Sequence, residues 1–163
     1  MFREMRRSNQ QLTMEETQNI LQKGTSGVLS LLGDEGYPYG VPLSYVYDGE
    51  KLYFHCAKTG HKIDAVHRES KASFCVIDQD LIMPQKYTTY FRSAIAFGKV
   101  RILESEQKKR EAIEKLAVKY APEDLPSHRE DIIAQEWAPL CVLEMEIHHL
   151  TGKQAKELAA SQE

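Results

Sequence analysis

The chain has 163 residues, 42% hydrophobic and 28% charged, which excludes intrinsic disorder and fits a soluble globular chain folding as a single domain over residues 1–163. Lys and Arg total 21 against 24 Asp and Glu, a net charge of -3, so no sequence-independent attraction to nucleic acid is expected. Cys56, Cys75 and Cys141 are widely spaced and odd in number, which signals neither a disulfide framework nor a zinc site. No apolar run approaches the roughly 18 residues of a membrane span, and the polar start lacks a signal-peptide core, so the cytoplasm is the expected compartment.

Arg3, Arg6 and Arg7 form the one basic cluster and read as a solvated or dimer-contacting arm. Thr13-Met14-Glu15-Glu16 is a capping-box pattern, which predicts a helix from there to Lys23 that ends at Gly24. Ser26 to Leu32 reads as a strand closed by the turn Gly33-Asp34-Glu35-Gly36, and Tyr37 to Tyr47 as the next. Asp48-Gly49 is a hairpin signal of type I′ leading into a strand from Lys51 to Ala57. With those two residues as the loop, Tyr47 faces Glu50, Ser44 pairs with Tyr53, and Pro42 pairs with His55. Pro42, Ser44, Tyr53 and His55 then share one face, while Leu43, Tyr45, Leu52 and Phe54 share the other and are the core candidates.

His61 to Arg68 is a short helix with Ile63 and Val66 on one side, and Lys71 to Ile77 is an apolar strand with Pro84 in the connection after it. Tyr87 to Leu103 is a long aromatic and β-branched strand in which Gly98 marks a bulge or barrel corner. Ser105 caps a helix carrying an apolar stripe of Ile113, Leu116, Ala117 and Tyr120, ended by Pro122. Ser127 to Trp137 forms a further short helix broken by Pro139, with Trp137 in a packing or dimer contact. Leu140 to Leu150 is a last strand with Cys141, Leu143, Met145 and Ile147 inward and Glu144, Glu146 and His148 the other way. The sum is a mainly β chain, a six-stranded antiparallel barrel with peripheral helices.

No dinucleotide, P-loop or zinc-protease signature is present. His148 and His149 are adjacent and face opposite ways on a strand, so no metal site is expected; Asp78 and Asp80 read as a turn rather than an acid pair. The densest polar stretch, Tyr53 to Lys62, passes from strand through a glycine-containing loop to a helix start. Lys58, Gly60, His61 and Lys62 there suit an anion such as phosphate, and a solvated loop is the alternative.

MFREMRR, GDEGYPYGVPLSYVY, LYFHCAKTGHKIDAV, TTYFRSAIAFGKVRIL and EIHHLTGK, in this order from Met1 to about Leu158, resemble the nitroimidazole-resistance (Nim) proteins. These are flavin-dependent nitroreductase-like members of the FMN-binding split-barrel superfamily typified by pyridoxamine 5′-phosphate oxidase. The resemblance implies a homodimer with FMN at the interface and reduction of nitroaromatic or similar small molecules. Carried onto this chain, Val41, Pro42, Leu43, Ser44 and Tyr45 would line the flavin ring through backbone and Ser44 contacts, and His55, Cys56 and Ala57 would continue that wall. Lys58, Gly60, His61 and Lys62 would hold the phosphate, and Tyr90 and Ser93 would reach the partner subunit's flavin. His55 and His61 are the candidate proton donors, since imidazole titrates near neutral pH. The C-terminal LTGKQAKELAASQE differs from the substrate-phosphate segment of pyridoxamine phosphate oxidase. A flavin- or haem-binding sensor or carrier without turnover, or an oxidase of the pyridoxamine phosphate type, are the alternative functions.

Overall fold

The computed structural model describes residues 1–160, so the last three residues of the expected domain lie outside the described residues. The helix α1 (Met14–Lys23) starts on the expected capping box: the Thr13 amide donates to Glu16 Oε2 at 2.9 Å while the Glu16 amide donates to Thr13 Oγ1 at 3.2 Å. The strands are β1 (Ser26–Leu32), β2 (Pro38–Ser44), β3 (Val46–Tyr47), β4 (Lys51–Ala57), β5 (Lys71–Met83), β6 (Thr88–Ile102) and β7 (Leu140–Gln154). Helix α2 (His61–Arg68) follows β4, α3 (Glu106–Tyr120) and α4 (Pro126–Glu136) join β6 to β7, and α5 (Lys156–Ala160) closes the described chain.

All pairings are antiparallel, in one seven-stranded sheet of order β2-β1-β5-β6-β7-β4-β3. The two edge strands, β2 and β3, are neighbours in sequence, separated only by Tyr45. A sheet whose opposite edges are one residue apart must curl until they meet, yet no ladder joins β2 to β3, so the result is a split barrel and not a closed one. The count rises from the expected six strands to seven because the chain breaks at Tyr45.

Tyr45 is fully buried, its ring edge-on to Phe74 at 4.8 Å and its hydroxyl donating to the Leu21 carbonyl at 2.8 Å. Leaving both ladders deprives its backbone of strand partners, and the Tyr120 hydroxyl supplies them. It accepts from the Tyr45 amide at 2.9 Å and lies 2.9 Å from the Tyr45 carbonyl, also touching the carbonyl of Thr25. The end of α3 is thereby fixed to the split.

The break also corrects the expected hairpin. Val46 pairs with Tyr53 and Tyr47 with Leu52, so Gly49 and Glu50 form the loop, and only Gly49, at φ 103°, needs the left-handed region. Asp48 stays outside it, its carboxylate accepting from the amides of Glu50 and Lys51. Ser44 and Pro42 pair with Ser26 and Val28 on β1, while His55 pairs with Val142 on β7. The expected faces survive because the slip is by an even count: Tyr45, Leu52 and Phe54 fill the barrel with Leu43 packed against them, and Tyr53 lies outside.

The interior is filled by Leu29, Phe54, Phe74, Leu143 and Met145. Outside, Ala112 and Leu116 of α3 cover Val46, Tyr53 and Val142 in a second core. Glu144, expected on the side opposite Leu143 and Met145, lies on this outer face, where it is buried and satisfied by Arg101 at 2.6 Å and Lys51 at 3.3 Å. Gly98 sits at the register shift between Phe97 and Gly98, where a Cβ would run into the Glu146 carbonyl. Asp78 lies at a second irregularity inside β5, which continues past the expected Ile77 to Met83.

Trp137 packs, as one of its two expected roles requires: the Lys109 ammonium stands 3.9 Å from its ring centroid and its Nε1 donates to Glu106 at 2.9 Å. That clamp sets the end of α4 against α3. Among the described residues no helix is long and apolar enough to cross a membrane. Replacing Tyr120 by Phe leaves the Tyr45 amide unpaired, so urea denaturation of Y120F is expected to show a loss of about 1–3 kcal/mol.

Candidate functional site

Where β4 leaves the sheet, the outer face of the barrel and the α3–α4 pair enclose a cavity of about 690 Å³, within the usual range for small-molecule sites. The sheet side presents Ser44, His55, Cys56, Ala57 and Lys62, all expected site residues. His55 and Ala57 pair with Val142 and Leu140 of β7 and so share the outward-facing side of the sheet. The opposite wall is helical, with Ala117 and Tyr120 from α3 and Ile132 and Glu136 from α4.

Helix α2 begins beside this cavity. Its N-cap is Gly60 at φ 120°, a backbone shape that favours glycine, and no side chain caps it. The first helical bond runs from the Asp64 amide to the Gly60 carbonyl, so the amides of His61, Lys62 and Ile63 have no intrahelical acceptor. Half-buried Lys62 lies on the cavity wall, Lys58 is exposed on the preceding loop, and neither has an ion-pair partner among the described residues. Free amides at a helix start beside two cations form a donor set that matches a phosphate group.

The other expected residues are placed differently. The His61 ring stacks on Tyr39 at 4.0 Å and its Nε2 lies 3.6 Å from Asp34 Oδ2, so its side chain belongs to a surface cluster and only its backbone serves the helix start. Asp34 is held below the usual carboxylate range by the Arg68 guanidinium, 2.8 Å away, and then by His61. Val41 and Leu43 turn into the barrel, Pro42 turns outward, and Tyr45 has both its hydroxyl and its backbone amide hydrogen-bonded within the fold. Tyr90 and Ser93 lie on β6 away from this cavity, Tyr90 accepting from Lys86 Nζ at 2.8 Å.

Cys56 stands directly opposite Cys141 on β7, so that the two sulfurs influence each other's charge. Burial first, then the neighbouring sulfur, push the Cys56 thiol up to about 12, against the Lys62 charge that pulls it down. Among the described residues no three His, Cys, Asp or Glu side chains group as metal ligands.

The helical wall was not legible as a site. Ile113 to Tyr120 reads as an ordinary core stripe, and half of it does serve the core. The available signal was the pair Ile132-Ile133, adjacent on a helix and so unable to share one buried side: Ile133 is 5% exposed and Ile132 45%.

A family model described as pyridoxamine 5′-phosphate oxidase matches residues 13–154, from the cap of α1 to the end of β7. The chain belongs to that family. Its fold is shared with a candidate 5-nitroimidazole antibiotic resistance protein from Bacteroides thetaiotaomicron, at TM-score 0.73 and 21% identity over 88% of this chain and 86% of that one. A conserved hypothetical protein from Mycobacterium tuberculosis superposes at TM-score 0.79 and 16% identity, covering 94% and 92%. The FAD and haem binding protein from Mycobacterium smegmatis gives TM-score 0.73 and 18% identity, covering 94% and 80%. No curated protein gives a significant match. Within the pyridoxamine phosphate oxidase family, then, this member presents the lysine-flanked start of α2 and the end of β4 to one cavity.

The raised thiol of Cys56 has a measurable consequence. Its folded-state value exceeds its unfolded value, so its contribution to stability is present at neutral pH and is lost as pH climbs from about 9 toward about 12. Alkylation of Cys56 followed by peptide mass spectrometry should stay slow through pH 9 in the folded protein and accelerate above it, whereas denatured protein should level off once pH passes about 8.5.

Proposed function

We propose that the protein binds FMN in this cavity and acts as an oxidoreductase that reduces nitroaromatic or similar small molecules. The observation that carries the reading is the uncapped, glycine-started N-terminus of α2, with Lys62 on the same cavity as Ser44 and His55. The donor set fits the cofactor: Lys62, Lys58 and the amides of His61 to Ile63 would hold the phosphate, and Ser44, His55, Cys56 and Ala57 would border the ring. The family and the flavin-binding structural relatives support a flavin in general. Bound FMN would supply the two-electron chemistry.

The chain's own residues would orient and protect it. The apolar residues of the α3–α4 wall would limit water around a bound ring. His55, exposed to that space, can hold a proton at its imidazole for delivery to a reduced substrate. His61 is bound to Asp34 and Tyr39 and drops out as a proton donor.

A homodimer belongs to the same proposal. The outward side of β1, β5 and β6 leaves Val28 40% and Ile77 68% exposed, and the β5–β6 arm adds Ile82 and Tyr87. An uncovered apolar face of this kind suits a second copy, which would bring Tyr90 and Ser93 to its partner's cavity. The cytoplasm is the compartment where such a reductase would find a nicotinamide reductant. A flavin- or haem-carrying protein without turnover is the second reading, favoured by the shared fold of the FAD and haem binding protein.

Titration of the purified protein with FMN, followed by absorbance, tests the site. Lys62→Ala should weaken binding by roughly tenfold to a hundredfold, the usual range for a charge-assisted hydrogen bond. Nitroimidazole consumption with a chemical reductant should exceed a free-FMN control; equal rates would leave the carrier reading.

A further inference from the structure

The cavity has two chemically different walls. On the sheet side the charged group is Lys62, which the flavin reading assigns to phosphate. On the helical side Ala117 and Ile132 are apolar, and Tyr120 spends its hydroxyl on the backbone of Tyr45 and Thr25. That leaves Glu136 as the sole carboxylate among the lining residues, with no ion pair or hydrogen bond among the described residues.

Glu136 is also misplaced for its own helix. It is the last residue of α4, whose final turn contains no basic side chain. A carboxylate at a helix C-terminus meets the negative end of the macrodipole, and a lysine or arginine there would stabilise the helix. Exposed at the cavity rim without a protein partner, this carboxylate carries a small local cost that a cationic or N–H-donating ligand would offset. The neighbouring clamp of Trp137 by Lys109 and Glu106 holds the end of α4 in place against α3, so the carboxylate is carried on a fixed element.

We propose that Glu136 selects substrates: a flat aromatic or heteroaromatic molecule bearing a cationic or N–H-donating group, its ring against the α3–α4 wall and its donor on the Glu136 carboxylate. The proposal rests on the flavin reading only in giving Lys62 to the phosphate, which leaves Glu136 as the free charge. It makes neutral or basic nitrogen heterocycles better substrates than aromatic carboxylates of the same size, because an anion would meet an uncompensated like charge.

The test is isothermal titration calorimetry of the full chain, with and without FMN, against benzylamine, which is protonated at neutral pH, and benzyl alcohol, its neutral counterpart of similar shape. At low salt, benzylamine should bind about fivefold more tightly than benzyl alcohol, as befits a carboxylate exposed to water. Glu136→Gln should remove that preference by weakening benzylamine while leaving benzyl alcohol as it was. Equal binding of the two probes by the unaltered protein, binding of neither, or a preference that survives in E136Q would overturn the proposal. Failure to take up FMN strikes the flavin reading instead, and it is read separately from absorbance; the amine preference bears on Glu136 alone.

Discussion

The hydrogen bonding of the Tyr120 hydroxyl to the backbone of Tyr45 is the contact on which the rest of the structure depends. The chain leaves one edge of the sheet and enters the other across Tyr45, and a buried peptide there must find partners outside either ladder. By supplying them from the last turn of α3, the fold does two things with one side chain. It satisfies the backbone at the split without a strand, and it fixes α3 across β3, β4 and β7. The cavity exists because α3 is held there and α4 is held to α3 through Trp137 and Lys109.

Much of the fold was legible from short-range chemistry. The capping box at Thr13, the helix from His61 to Arg68 and the irregularity at Gly98 depend on residues near in sequence, and all three lie where expected. The hairpin register was misread because Asp48-Gly49 carries the local signal, whereas the loop position is set at long range by the Tyr45 corner and the pairing of β4 with β7. Strand ends were underestimated for a related reason. Asp78, Gln79 and Asp80 after Ile77, and Thr151, Gly152, Lys153 and Gln154 after Leu150, are polar or glycine, so the apolar pattern stops there while the ladders continue.

The candidate site divides in the same way. Lys62 and Gly60 mark a candidate anion site in the sequence because glycine, lysine and a helix start are the elements such a site uses. His61 could not be separated from them by sequence, since its partners Asp34 and Tyr39 come from another hairpin. The helical wall is invisible for the opposite reason: apolar residues on α3 and α4 look the same whether they face a core or a ligand. Membership of the pyridoxamine phosphate oxidase family fixes the scaffold, and the function still has to be argued from the groups mounted on it.

A crystal structure of the protein grown with FMN tests the central claim most directly. The account predicts the phosphate at the start of α2, within hydrogen-bond reach of the His61, Lys62 and Ile63 amides and of the Lys62 ammonium, with the ring system beside Ser44 and His55. Flavin bound elsewhere, or a phosphate with no contact to α2, would contradict it.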